Sequence, residues 1–225
     1  MTGMMDVSGK RIKQTNNLIR VLSMEARGFE FLSYEKIRMW GLGHVFLISA
    51  LFAMLLPFHE GLSIHFFEPV FMTGTVLWFL IAVVSLNALL KQTVKGVTPK
   101  LEMLAIGLLL GLMFLAYFAT FEFSAIRDEF IQEMDWYRGR CGPIIFVTSI
   151  FLASGFSYYT VKRLAPLEPG KSAFWTGLAS GATSSFLMQF VCAHENLLHI
   201  LIWHVTPIAL FSGLTVIIGQ KLFRW

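Results

Sequence analysis

Cysteine is nearly missing from this chain, which has only Cys141 and Cys192 in its 225 residues. Two isolated cysteines exclude a membrane disulfide oxidoreductase, because such enzymes relay electrons through a CxxC pair and further thiols. The usual enzyme signatures are missing as well: there is no HExxH, no GxSxG, no phosphate-binding glycine loop and no carboxylate pair inside an apolar run. No internal repeat is visible, so nothing points to an inverted-repeat transporter. Charge is the third scarcity. Asp, Glu, Lys and Arg make up 14% of the chain against 56% hydrophobic residues, and the mean hydropathy is +0.65. A soluble domain of this length carries about a quarter charged residues, so a soluble fold is excluded.

What is present is a set of long apolar runs. They lie at Trp40–Phe58, Pro69–Leu90, Met103–Phe121, Pro143–Val161, Ala173–Val191 and Leu197–Gly219. Each is long enough to cross the roughly 30 Å hydrocarbon layer as a helix, and none places Lys or Arg at its centre. In lipid every backbone amide must be paired within the segment, which leaves helix as the state. The expected fold is therefore all-α: a polytopic membrane protein with a six-helix transmembrane bundle over residues 40–219.

Charge sets the orientation. Of the 18 Lys and Arg, all but Arg127, Arg138 and Arg140 fall before the first run, on alternate connections, or after the last. By the positive-inside rule both termini are cytoplasmic. The net charge of +4 follows this topology and does not indicate a nucleic-acid partner. Residues 1–39 form a cytoplasmic arm and are not a signal peptide, since their charges are not followed by a short apolar core. Residues 220–225 form a cytoplasmic tail.

Within the arm, Leu18, Ile19, Leu22 and Ala26 recur at helical spacing, with Arg20, Ser23 and Arg27 toward the other face. Such a short amphipathic helix needs a surface, which is either the lipid interface or a groove on a partner protein. The longest connection, residues 122–142, carries Ile126, Phe130, Ile131 and Met134 at helical spacing and is expected to rest on the outer membrane surface, with a ligand lid as the alternative. His59, Glu60, His65 and Glu68 read as a solvated outer loop. Gly107 and Gly111, like Gly177 and Gly181, have the small-xxx-small spacing that lets helices approach closely. Pro207 is expected to kink the sixth helix.

The topology puts Cys141 and Cys192 at the same outer membrane boundary, where they are open to disulfide formation, to metal binding, or to a role as inert buried thiols. Together with His194 and His199 they offer a four-ligand set suited to a borderline metal, although the spacing is not that of a zinc motif. No dedicated metal and no cofactor is expected. His204 lies inside the sixth run, and His199 and His204, five residues apart, are expected on different helix faces. His199 and His204 are candidate intramembrane polar groups, and for His204 the alternatives are a functional role and a neutral imidazole hydrogen-bonded across helices. A small multi-span transporter or metal-binding membrane protein is the rival class.

Taken together, Asn17 to Ser23, Cys141, the turn Lys162 to Pro166, the Gly-rich fifth run ending in Cys192, the stretch His199 to His204 with Trp203, and the closing Gly219 to Trp225 resemble the NrsF-like family of six-span bacterial inner-membrane anti-sigma factors. The resemblance covers nearly the whole chain and is most specific in its C-terminal half. It departs from the family at the Pro-rich linker expected between arm and first span, which is missing here. The resemblance implies a non-enzymatic regulator that sequesters an extracytoplasmic-function sigma factor through the arm, at Leu18, Ile19, Arg20, Val21 and Leu22. It also implies that two periplasmic-side cysteines, corresponding to Cys141 and Cys192, sense heavy-metal or oxidative stress.

Overall fold

The computed structural model describes residues 34–56, 58, 67–95, 99–119, 138–164, 168–192 and 196–222. The chain divides into two compact units, Met1–Lys36 and Ile37–Trp225. The arm residues Leu18 to Leu22, most of the connection 122–142, His59, His65 and His194 lie outside the described residues.

Among the described residues there is helix and no strand. The long helices are α1 (Tyr34–Leu55), α2 (Pro69–Lys95), α3 (Lys100–Phe118), α4 (Cys141–Leu164), α5 (Pro169–Gln189) and α6 (Leu197–Leu222), which contains a π-helical segment at Ile200–Val205. Each expected run falls on one of them. The boundaries follow local chemistry: Pro69 and Pro169 open α2 and α5, where the missing N–H costs nothing. Asn196 caps α6 by accepting a hydrogen bond from the His199 backbone N–H at 2.6 Å.

Four of these helices, α2, α3, α4 and α6, are long and apolar enough to cross a membrane, which makes this a membrane protein. The apolar part of α1, Met39–Leu55, is shorter. Helix α5 falls short for a different reason, which is polarity: Ser172, Thr176, Ser180, Thr183, Ser184 and Ser185 are all buried in it.

Those hydroxyls have a place because α5 is the central helix, packed against α2, α4 and α6. Thr176, Ser180, Thr183 and Ser184 each donate to the carbonyl four residues back, at 2.7–2.9 Å, so these four are satisfied within the helix, whereas the hydroxyls of Ser172 and Ser185 have no partner among the described residues. Ser149 of α4 also reaches Ser184, at 3.1 Å. The outer surfaces are the reverse: Leu101, Leu104, Leu108 and Leu115 of α3 are 61–72% exposed. Hydroxyls inside and leucines outside is the distribution that hydrocarbon surroundings select.

The two glycine pairs behave differently. A Cβ on Gly177 would stand 2.8 Å from the Ser212 backbone, and one on Gly181 would stand 2.8 Å from Ile208, so α5 and α6 are in close approach there. Gly107 and Gly111 have nothing within 4 Å of the same position. Their expected packing role is not met among the described residues, because they lie on the exposed face of α3.

Candidate functional site

The end of the bundle where α4 begins and α5 ends brings four chemically active side chains together. Cys141 is the first residue of α4, directly after the 3-10 turn Arg138–Arg140. Cys192 sits just beyond α5, where its backbone N–H still donates to Met188 at 2.8 Å, extending the helical path to the thiol. The two sulfurs are 3.1 Å apart, and both residues are buried thiols. Equal depth was legible from topology. Proximity was not.

His199 and His204 complete the group. His199 Nε2 lies 3.1 Å from Cys192 Sγ, and the rings of His199 and His204 are 5.6 Å apart, edge to face. The donor atoms of Cys141, Cys192, His199 and His204 all lie within 4.8 Å of one another. The expectation that the histidines occupy different faces is thus overturned, and the cause is backbone geometry. In an α-helix five residues overshoot a turn by about 140°. Here Ile200–Val205 is a π-helix, with the Thr206 N–H bonded to the Leu201 carbonyl five residues back, so the wider turn returns residue 204 to the side of residue 199.

Two neighbours account for the π segment. Thr206 Oγ1 also donates to the Leu201 carbonyl, at 2.8 Å. Pro207 has no N–H to give, so the α-helical pattern is interrupted at that point. Ahead of Pro207, where a kink was expected, the helix carries this widened turn. Trp203, within it, lies over the backbone of Gly139 and Gly142 and so fixes α6 against the start of α4.

His204 is the member whose presence asks for an explanation. It is fully buried, and neither ring nitrogen has a hydrogen-bond partner among the described residues. Its other aromatic neighbour, Trp78 of α2, has its ring 6.4 Å away. Leaving such a group unpaired costs about 1–3 kcal/mol, which a ligand at the shared centre would offset. Two sulfurs and two imidazoles form a donor set that suits a tetrahedral, thiophilic cation, and the sulfurs are also placed to be joined by oxidation.

Residues 32–225 match the NrsF family, described as negative regulator of sigma F. The chain belongs to this family. No curated protein and no solved structure matches it. Within the NrsF match lie the six long helices and the whole thiol and imidazole cluster; Leu18 to Leu22 of the arm precede it. The family indicates negative regulation of a sigma factor, and a sigma factor as partner.

At the opposite end of α5, contacts that the sequence did not announce tie the helices together. Glu102 of α3 accepts from Lys91 and, at 2.9 Å, from Asn87, both on α2. Gln92 donates to Glu168 at 2.9 Å, joining the end of α2 to the start of α5. Lys171 pairs with Glu168 at 2.9 Å. Such pairings follow from which connections meet in space, and no local motif marks them.

Proposed function

We propose that this NrsF family member is a membrane anti-sigma factor of the bacterial inner membrane. It crosses the bilayer six times with both termini in the cytoplasm. Its arm, through Leu18, Ile19, Arg20, Val21 and Leu22, holds an extracytoplasmic-function sigma factor at the membrane. Heavy-metal or oxidative stress acts on Cys141 and Cys192 at the periplasmic side and releases it.

The observation that carries this is the 3.1 Å between the two sulfurs, one at the start of α4 and one just past the end of α5. Thiolates bind soft metals and oxidise readily, and either event ties two helices together at one end. To release a partner, the new constraint must favour one of two arrangements of the bundle that the arm can distinguish. The segregation of Lys and Arg supports the orientation. For α5, burial among its neighbours supports a crossing despite its polarity.

The test is replacement of both cysteines by Ser, with a sigma-dependent promoter assayed under dichromate or cadmium. A lost response is expected, and an unchanged one removes the sensing role. Deleting residues 1–30 should give constitutive sigma activity, and continued repression would reject the arm as inhibitor. The four clustered donors also favour a second reading, a metal-binding or metal-transporting membrane protein. Co-purification separates the two: a stoichiometric sigma factor supports regulation, and bound metal without one supports the rival.

A further inference from the structure

We propose that Cys141, Cys192, His199 and His204 form a Cys2His2 site for a thiophilic, closed-shell divalent cation, zinc or cadmium, and that filling this site is the chemical form of the signal. The second half of this proposal rests on the cysteines being the sensing groups, whereas the site itself stands on geometry.

The donor set is complete. A tetrahedral ion with sulfur at about 2.3 Å and imidazole nitrogen at about 2.0–2.1 Å places donor atoms about 3.3–3.8 Å from one another. The atoms here run from 3.1 Å between the sulfurs to a largest separation within 4.8 Å, so a cation at their centre needs the most distant donors to close in by no more than about 1 Å. All four come from segments that the fold holds in place. Cys141 opens α4, Cys192 is held by its bond to Met188, and His199 is fixed by the Asn196 cap. The fourth, His204, is brought round by the π turn.

The burial of His204 is what separates a ligand site from a mere cysteine pair. A disulfide between Cys141 and Cys192 would leave both nitrogens of that imidazole without a partner, in a fully buried position. A cation gives one of them a bond. Sequence spacing hides the arrangement because the residues stand in two groups, 51 positions apart at the sulfurs, and the histidine pair is five apart. Binding releases the two thiol protons as the sulfurs become thiolate ligands, and nothing is oxidised or reduced.

The experiment uses the full chain purified in detergent, reduced and stripped of metal, titrated with Cd2+ and separately with Zn2+ against a competing chelator. Bound metal is counted by mass spectrometry, thiolate-to-cadmium absorption is followed in the ultraviolet, and Co2+ is used to report tetrahedral geometry. One ion per chain is expected, with thiolate absorption lost in Cys141→Ser and Cys192→Ser. Losing an outer partner of a ligand commonly weakens metal binding about 10- to 100-fold, so His204→Leu, which removes a ligand, should weaken it at least that much. Without metal the same variant should melt at or above the wild-type temperature, because an unpaired buried imidazole has been replaced by an apolar side chain. That result guards against a folding defect.

Wild-type protein that binds neither ion, or His204→Leu that binds as tightly as wild type, overturns the site. The promoter assay keeps the two failures apart. A bound ion that needs all four residues, beside a promoter indifferent to cadmium, leaves the site standing and sinks the sensing role. A cysteine-dependent promoter response in a protein that binds no ion does the reverse. Which metal drives the promoter at matched occupancy tells cadmium from zinc.

Discussion

The indole of Trp203 fills the space that a side chain on Gly139 would need, its Cη2 lying 2.7 Å from where a Cβ would stand, and Gly142 is covered in the same way at 2.9 Å. Cys141 lies between these glycines, so the indole fixes how deeply its thiol sits. Replacing Gly142 by Ala forces the indole or the start of α4 to move, at a cost of about 1–3 kcal/mol. The expected result is a lower melting temperature and slower joining of Cys141 to Cys192 by a mild oxidant, measured by non-reducing gel electrophoresis after thiol trapping.

Four glycines with the same spacing should respond with opposite signs. Gly107→Ala and Gly111→Ala meet nothing and gain helix preference of about 0.5–1 kcal/mol each, so thermal stability should hold or rise. Gly177→Ala meets the Ser212 backbone, which cannot rotate away, and should lower stability by more than that gain. Equal behaviour of Gly107→Ala and Gly177→Ala in thermal melts would contradict the α5 and α6 contact.

The Lys91 and Glu102 pair is asymmetric. Glu102 is buried, whereas the Lys91 side chain is 36% exposed and can turn to water. Lys91→Met leaves a buried carboxylate with Asn87 as its side-chain partner among the described residues. Breaking a fully buried pair costs about 3–5 kcal/mol, and this half-buried one should lie at or below the lower end. Glu102→Gln should cost less, since the amide still accepts from Asn87. Chemical denaturation of the two variants in one detergent measures the order.

Glu168 predicts a dependence on pH. Lys171, chiefly, and Gln92 hold its carboxyl below the ordinary 4.5, against a smaller opposing effect of burial. A group whose pKa is lowered by folding adds stability above its unfolded value, and that contribution disappears as pH falls through the lowered value. Melting temperature should therefore drop on acidification below 4.5, and the drop should be shallower in Glu168→Gln. An identical acid limb in the variant would show that the Lys171 and Gln92 contacts do not matter there.

The helices were legible because hydrocarbon imposes a length and an apolar composition, and each of the six runs lies on a helix. Helix α5 could be placed, but not its centrality, since Ser and Thr spacing does not say which neighbours cover them. The cysteines could be assigned to one boundary by counting crossings. What escaped was the fourth donor. A spacing of five means different faces under α-helical geometry, and only the widened turn before Pro207 reverses that. The combination of two histidines five apart with a proline three residues later was the available signal. The arm residues Leu18 to Leu22 and His194 fall outside the described residues and stay with the sequence expectation.

The hydroxyl-lined flanks of α5 bear on how the protein is made. Hydrocarbon offers this segment little reward for entering by itself, because most of its residues are Ser, Thr, Gly and Ala rather than leucine. On the six-span reading proposed above, its insertion is completed in company, with α2 and α4 already waiting and α6 arriving to close over it. Until that last helix is synthesised, the four donor groups do not exist as a set, so a nascent chain does not hold the proposed cation site before its fold is finished.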